Sequence, residues 1–292
     1  FSHFVRFISR LDSSMLNLFL ILLLLSLFIL YHINSWSPLD STILYESRNF
    51  LLFGHRGNSV AEPENTIAAF KRAVADGCNT IELDVHLTKD GHLAVFHDDT
   101  LERTTNGSGP VGEQTLQQLQ NLNASQQWPG RTEKIPSLQE VVDALPGDIL
   151  FNFEMKSFTI FSENHIAQSM VEFIKKNELQ NRVIISSFNP FCIRRIKKIA
   201  PNLFTALLWY EPSWLSPRHM FGLHIAHPDI IHPAEEDLTR VLRFWTKLKK
   251  LPLHVWVVNN ADRMVELAED PMIMGIMSDD THLLAETLKA TG

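Results

Sequence analysis

The pattern of apolar and polar positions divides the chain into two parts. From Ser13 to Ser37 there is no Asp, Glu, Lys or Arg, and the centre of this segment is almost wholly Leu, Ile and Phe. From Phe50 onward, short apolar runs alternate with stretches in which apolar residues recur at helical spacing. We therefore interpret the chain as a short tail (1–12), an apolar transmembrane helix (13–37), a polar linker (38–49) and one large domain (50–292).

The apolar segment predicts a single membrane span. As a helix it is long enough to cross a hydrocarbon core of ~30 Å, and a helix that is apolar on every face is rare in globular proteins. A cleaved signal peptide is the alternative, but no small-residue cleavage site follows Leu30. We favour a retained signal anchor. Arg6 and Arg10 precede it and Asp40 and Glu46 follow it, so the positive-inside rule predicts that the large domain is extracytoplasmic.

The alternation after Phe50 predicts an α/β fold. We count nine strand-like segments separated by helical stretches, which indicates parallel βαβ units. The turn at Asp90-Gly91 predicts a hairpin, so one of these strands is expected to run antiparallel to its neighbour. Eight strands remain, the number that closes a (β/α)₈ TIM-type barrel. The sequence thus predicts such a barrel with a small hairpin insertion, preceded by one transmembrane helix.

Composition narrows the choice of function. The 292 residues carry a formal net charge of -7, which lacks the basic footprint of a nucleic-acid-binding protein, so no nucleic-acid partner is expected. The chain contains two cysteines, Cys78 and Cys192, too few for a disulfide framework.

The candidate chemistry gathers at the predicted ends of strands, where barrel active sites are built. Glu82 and Asp84 are spaced so that both face one side of a strand, and so are Glu154 and Lys156. Carboxylates within apolar sequence are costly unless something neutralises them. Oxygen ligands of this kind suit Mg²⁺ or Ca²⁺, so we predict one divalent cation.

The same strand ends supply groups for acid–base chemistry and for phosphate binding. His55 and His97 are the candidate proton donor and acceptor, because imidazole titrates near neutral pH. Arg56 and Lys156 have the charge to neutralise a phosphate. Together these residues indicate a metal-dependent hydrolase of a phosphate ester. The remaining histidines, His232 and His254 among them, we interpret as structural or exposed.

A series of short motifs resembles the signature of the glycerophosphodiester phosphodiesterase family, in order and from about Phe50 to the end of the chain. The motifs are Gly54-His55-Arg56-Gly57, Pro63-Glu64-Asn65-Thr66, Glu82-Leu83-Asp84-Val85, Thr88-Lys89-Asp90-Gly91, His97-Asp98, Arg103-Thr104-Thr105-Asn106-Gly107, Glu154-Met155-Lys156, Ser186-Ser187-Phe188, Trp256-Val257-Val258-Asn259 and Gly275-Ile276-Met277-Ser278-Asp279. Each motif is weak alone, but this many in order are specific.

The resemblance implies a TIM-type barrel and a divalent-metal phosphodiesterase. By the family's pattern His55 and His97 are the acid–base pair. Metal ligands would be Glu82, Asp84 and Glu154, phosphate contacts Arg56 and Lys156, and a substrate contact Trp256. The one departure is Met155, where Leu is commoner. No family motif maps onto residues 211–226, where substrate selectivity is expected to lie.

Three functions stay open on the sequence. The first is hydrolysis of soluble glycerophosphodiesters, such as glycerophosphocholine or glycerophosphoethanolamine, to glycerol 3-phosphate and an alcohol. The second is a lysophospholipase D at the membrane, favoured by the bilayer span and by an aromatic-rich region. Its aromatic residues Trp209, Tyr210, Trp214 and Phe221, together with Met220, would either form a rim at a lipid surface or pack as core at the top of the barrel. The third, a non-catalytic tethered binding protein, is disfavoured because no candidate metal ligand or His is lost.

Overall fold

The strand-like runs of the sequence form nine strands in the part of the chain that the structure describes. That part of the computed structural model comprises residues 13–46, 48–156, 163–210 and 218–290. The strands are β1 (Leu51–His55), β2 (Thr80–Leu87), β3 (Leu93–Val95), β4 (Leu150–Met155), β5 (Val183–Ser187), β6 (Phe204–Trp209), β7 (Ile230–Pro233), β8 (Leu253–Val255) and β9 (Ile273–Ser278).

Eight of these nine strands close into a parallel barrel, as predicted. β1 pairs with β2 on one side and with β9 on the other, so the first and last strands are neighbours. β3 lies outside the barrel and pairs antiparallel with the end of β2, from Val85 to Leu87. The hairpin predicted at Asp90-Gly91 is therefore confirmed. All eight barrel strands point their carboxyl ends toward one mouth of the barrel, where loops and catalytic groups meet.

Helices follow most strands and cover the barrel. They are α2 (Ile67–Asp76), α3 (Leu116–Gln120), α4 (Leu138–Ala144), α5 (Glu163–Lys176), α6 (Pro190–Ile199), α7 (Arg218–Ala226), α8 (Arg240–Lys249), α9 (Ala261–Ala268) and α10 (Thr281–Lys289), with α1 (Ser13–Asn34) preceding them. Polar N-cap residues fix where several of these helices begin. At the start of α2, for example, the side chain of Thr66 accepts a hydrogen bond from the backbone amide of Ala69.

The core inside the barrel includes residues from the segment predicted as a linker. A 3₁₀ turn forms at Ser41–Leu44, and both Leu44 and Tyr45 are buried against the first strand. The hydroxyl of Tyr45 lies 2.8 Å from Nε2 of His254. Nδ1 of His254 lies 3.0 Å from Nε2 of His232. Both imidazoles are fully buried, so these two histidines belong to the core.

The chain divides into two compact units between Ser37 and Pro38. In the first unit, α1 holds no charged residue, and it is the one described helix that is long and apolar enough to cross a membrane. A signal sequence has the same length and composition.

Candidate active site

Three acidic side chains meet inside the mouth of the barrel. Glu82 and Asp84 lie two residues apart on β2 and share a face, and Glu154 on β4 stands beside Asp84 in the strand register. One oxygen of each carboxylate lies within 4.8 Å of one oxygen of each of the others. All three residues are buried. The spacing in sequence and the register of β2 against β4 thus place three carboxylates around one point.

The ionisation of these carboxylates depends on their immediate neighbours. Burial raises the pKa of Glu82 well above its usual value, and the nearby Asp84 and Glu154 raise it further. Burial also opposes the ionisation of Asp84, but the charges of Lys156 and Arg56 outweigh it and hold the pKa of Asp84 well below its usual range. Nζ of Lys156 lies 2.8 Å from Asp84 Oδ1 and 2.5 Å from Glu154 Oε1.

A divalent cation fits this cluster. Oε1 of Glu82 is buried and has no hydrogen-bond partner among the described residues, and an unpaired buried carboxylate oxygen is costly. The donors are all carboxylate oxygens, which are the ligands that Mg²⁺ and Ca²⁺ prefer. Glu82, Asp84 and Glu154 are therefore able to hold the predicted cation.

The chain turns sharply after β1 and brings Arg56 to the cluster. Arg56 has a φ of 56°, and its backbone amide donates to Glu82 Oε2 at 2.9 Å. The next residue, Gly57, has a φ of 84°, and a Cβ there would lie 2.5 Å from the backbone of Ala69. Only glycine fits this approach of the turn to α2. The Arg56 guanidinium lies 3.4 Å from Asp84.

Asn65 also serves the cluster rather than a helix end. Its φ is 57°, and its Nδ2 donates to Asp84 Oδ2 at 2.8 Å. The cap of α2 is the next residue, Thr66.

Each of the two candidate histidines is held by a carboxylate at Nδ1. Asp279, which follows β9, lies 2.7 Å from Nδ1 of His55, and Asp98 lies 2.6 Å from Nδ1 of His97. Burial opposes the ionisation of Asp279, but the hydrogen bond and charge of His55 lower its pKa to about 2. A carboxylate at Nδ1 fixes the ring orientation and the tautomer, so that Nε2 is the atom left for proton exchange.

A cavity of about 210 Å³ opens onto these groups. One side of it is polar and the other is apolar. The lining residues are His55, Arg56, Glu82, His97, Asn152, Glu154, Phe188, Leu208, Trp256 and Met277. The polar side comes from β1, β2, β4 and the His97 loop, and the apolar side comes from the ends of β5, β6, β8 and β9.

The structure brings the eight predicted site residues together, but not all of them line the cavity. Six of them line the cavity, whereas Asp84 and Lys156 lie behind it and pair with each other. Sequence reasoning assigned no role to Asp98, Arg103, Asp279 or Asn152. The first three stand in quoted motifs, which was the only signal. Of the predicted aromatic rim, Trp209 is buried in the core, so its assignment to the rim is wrong. Tyr210 is 45% exposed and its ring lies 6.4 Å from that of Trp256. Trp214 lies outside the described residues, as do the side chains of Met220 and Phe221.

Comparison with known proteins supports the same chemistry. Residues 55–283 match the model of the Glycerophosphoryl diester phosphodiesterase family. A glycerophosphodiester phosphodiesterase of Caldanaerobacter subterraneus subsp. tengcongensis is 39% identical over 248 residues, which is 83% of this chain and 99% of that relative. The crystal structure of glycerophosphodiester phosphodiesterase from Agrobacterium tumefaciens is 26% identical, with a TM-score of 0.67, over 81% of this chain and 99% of that one.

A second structure shares the fold with a ligand bound. An Oleispira antarctica phosphodiesterase in complex with the product sn-glycerol-3-phosphate is 24% identical, with a TM-score of 0.72, over 82% of this chain and 96% of that one. The barrel, the match over most of its length and the relative of nearly equal extent agree with one another. The chain is thus a phosphoric diester hydrolase and belongs to the glycerophosphoryl diester phosphodiesterase family.

Proposed function

We propose that the protein hydrolyses small glycerophosphodiesters, such as glycerophosphocholine, to glycerol 3-phosphate and an alcohol with the help of one divalent cation. The observation that carries the proposal is the cluster of Glu82, Asp84 and Glu154, two of which, Glu82 and Glu154, line the same cavity as two carboxylate-held histidines. The product bound in the Oleispira antarctica relative, sn-glycerol-3-phosphate, supports this substrate class.

The metal ligands in this proposal are Glu82, Asp84 and Glu154, with Mg²⁺ or Ca²⁺ as the ion. When bound, the cation supplies Lewis-acid stabilisation of charge on the phosphoryl oxygens. Arg56 adds its guanidinium at the cavity wall and binds a non-bridging phosphate oxygen. Lys156 is already paired with Asp84 and Glu154, so its charge balances the carboxylates and acts on the phosphate from behind them.

His55 and His97 carry the proton transfers. One takes a proton from the attacking hydroxyl, and the other protonates the leaving alcohol. If water attacks, glycerol 3-phosphate forms directly. If the substrate's own glycerol hydroxyl attacks, a cyclic phosphodiester forms first, and water then opens it with the two histidines in exchanged roles. Both rings are anchored at Nδ1, by Asp279 and Asp98 respectively. In each case the aspartate carboxylate that anchors the ring also stabilises the imidazolium that forms during proton transfer.

The apolar side of the cavity binds the rest of the substrate. Trp256 lines it, and the Trp256 ring lies 5.6 Å from that of Phe188 and 6.4 Å from that of Tyr210. Phe188 and Tyr210 are 47% and 45% exposed. Such half-exposed rings favour a second candidate, a lysophospholipase D, because an acyl chain needs an apolar surface beside the cavity. In this reading α1 anchors the enzyme to the bilayer and the barrel is extracytoplasmic.

The test uses the full chain purified in detergent. Choline release is measured from glycerophosphocholine and from lysophosphatidylcholine, with Mg²⁺, with Ca²⁺ and after chelation. We expect metal-dependent release from glycerophosphocholine, and we expect Glu82→Ala or His55→Ala to abolish it without unfolding the barrel. Release from lysophosphatidylcholine alone selects the second candidate. Undiminished turnover by either variant, or by the chelated enzyme, rejects the proposed chemistry.

A further inference from the structure

Arg103 connects two carboxylates of the active site from outside the cavity. It lies in the loop after β3, and it is not among the described residues that line the cavity. Its Nε lies 2.5 Å from Asp98 Oδ2, and its Nη2 lies 3.0 Å from Asp98 Oδ1. Toward Glu64, Nη1 and Nη2 donate at 2.8 Å and 2.6 Å to the two carboxylate oxygens. Each carboxylate thus accepts two hydrogen bonds from Arg103, which fixes the plane of the carboxylate as well as its position.

Each of these carboxylates also contacts a residue that lines the cavity. Asp98 Oδ1 lies 2.6 Å from Nδ1 of His97. Glu64 Oε1 lies 3.0 Å from Nη1 of Arg56. Hydrogen bonds between alternating basic and acidic side chains therefore connect the His97 imidazole to the Arg56 guanidinium, with Arg103 at the centre.

Folding stability alone does not account for this arrangement. The Arg103 side chain is 41% exposed, so solvent weakens its ion pairs even though they form a bidentate network. The same two carboxylates, however, are the partners of the His97 ring and of the Arg56 side chain. Without Arg103 each carboxylate keeps one hydrogen-bonded contact to the cavity wall but loses the fork that fixes its plane.

We propose that Arg103 is a positioning residue that fixes, from outside the cavity, both the imidazole of His97 and the guanidinium of Arg56. The proposal rests on the proposed function, in which these two groups transfer a proton and bind the phosphate. Both partners are held by the single planar guanidinium of Arg103, and this group therefore sets their separation. Small displacements of reacting groups are expensive in rate, so the effect on turnover exceeds the effect on stability.

The kinetic test compares Arg103→Ala and Arg103→Lys in the full chain, with choline release from glycerophosphocholine as the assay. We expect Arg103→Ala to lower kcat/KM by about 100-fold, with a melting temperature within about 4 °C of the parent. Lysine keeps the charge but not the fork, so Arg103→Lys is expected to lose about tenfold. The control is Arg243→Ala, which removes a partly exposed arginine paired with Asp270 on the outer helix α8 and is expected to leave kcat/KM unchanged.

A second background separates positioning from a general structural defect. If Arg103 acts through the two carboxylates, then adding Arg103→Ala to the double variant Glu64→Gln/Asp98→Asn changes kcat/KM by less than about twofold. The full 100-fold loss in that background, or a loss that tracks a lowered melting temperature, overturns the proposal.

A spectroscopic measurement decides the proposal independently of turnover. In the ¹⁵N-histidine-labelled chain, the His97 ring is identified by its absence from the spectrum of His97→Gln, and the His55 ring likewise. We expect Arg103→Ala to shift the His97 ring resonances and to leave those of His55 in place, because His55 is held by Asp279 instead. Unmoved His97 resonances overturn the proposal. An inactive parent enzyme rejects the proposed function, and the spectra still decide whether Arg103 positions the ring.

Discussion

The carboxylate of Asp279 lies 2.7 Å from Nδ1 of His55, although the two residues are 224 positions apart in the chain. They meet because β9 closes the barrel against β1, with Ser278 beside Gly54 in the register. Asn259 and Ser59 also donate to the Asp279 carboxylate, at 2.8 Å and 3.1 Å. The closing strand of the barrel therefore delivers a fixed acceptor to the histidine of the first strand.

We expect Asp279→Asn to lower kcat by roughly 100-fold with little change in KM. The amide keeps the size of the side chain but not the charge that stabilises an imidazolium at His55. Steady-state kinetics on glycerophosphocholine measure the effect, and thermal unfolding checks the fold. Asp143→Asn, which changes an exposed aspartate on α4, is the control. An Asp279→Asn enzyme with the kcat of the parent contradicts the role given to this carboxylate.

Metal binding should appear as stabilisation of the folded chain. A ligand that binds only the folded state adds about 2.7 kcal/mol at 100 times its Kd, and we expect Mg²⁺ or Ca²⁺ to raise the melting temperature accordingly. Glu82→Gln should abolish this rise. It should not destabilise the metal-free protein, because it removes a carboxylate whose pKa burial has raised.

Glu172→Gln is the control for the metal experiment, since it changes an acidic residue on α5, away from the cavity. Its melting temperature should rise with metal as that of the parent does. An equal rise in Glu82→Gln places the bound ion elsewhere.

The fold and the candidate site differ in how far the sequence predicts them. Glu82 and Asp84 are readable as one face of a strand because the period of two is local. The partner of His55 is not, because its position depends on which strands become neighbours when the barrel closes. Tyr45 falls within the segment predicted as a polar linker, yet it is buried in the barrel core. The sequence does not reveal this burial, because a short segment without periodicity gives no sign of the cavity that it fills.

The placement of Lys156 illustrates the same limit. Its spacing from Glu154 correctly predicts a shared face, but its side chain contacts the carboxylates rather than the cavity. This contact depends on the charges of residues on two different strands, Asp84 on β2 and Glu154 on β4. The sequence of one strand does not show which charges lie on its neighbour.

The aromatic side of the cavity predicts a difference between substrates. Phe188→Ala and Tyr210→Ala each remove a half-exposed ring that contacts Trp256. If an acyl chain binds there, each variant should lose about tenfold in kcat/KM for lysophosphatidylcholine, as expected for removal of a buried apolar contact, and much less for glycerophosphocholine. Phe244→Ala removes a ring of similar exposure on α8 and should change neither. Equal losses on both substrates assign the rings to general packing.

Asn152 should show a conflict between stability and activity. Its Oδ1 is buried without a partner among the described residues, and the residue lines the cavity beside Glu82 in the strand register. Replacing an unsatisfied buried amide by an apolar group of similar shape is neutral or favourable. We therefore expect Asn152→Leu to stabilise the fold by up to about 1 kcal/mol and to lower kcat/KM at least tenfold. Both are measured by thermal unfolding and by choline release.

The matched control for Asn152 is Ser186→Ala on β5. Its hydroxyl is also buried without a partner among the described residues, but Ser186 is not among the residues lining the cavity. The variant should match or exceed the parent in stability and retain its kcat/KM. Full activity in Asn152→Leu shows that the amide is a packing feature and not part of the site.

The buried histidines of the core predict how stability depends on pH. Burial lowers the pKa of His254 to about 3, below the value of about 6.5 for an exposed imidazole. On acidification the unfolded chain therefore binds a proton at this residue before the folded chain does. The stability that the neutral ring contributes is complete above about pH 6.5 and is lost progressively as the pH falls toward 3. Between pH 7 and pH 5 one such residue costs about 2 kcal/mol.

We expect His254→Gln to flatten this pH dependence. It should be less stable than the parent at pH 7, because the contacts with Tyr45 and His232 are lost. Its melting temperature should nevertheless fall less between pH 7 and pH 5, by about 4–8 °C, since one titrating group is gone. His92→Gln removes an exposed imidazole and should keep the pH dependence of the parent. If His254→Gln loses as many degrees on acidification as the parent, another group drives the loss, because removal of the buried ring then leaves the proton uptake on unfolding unchanged.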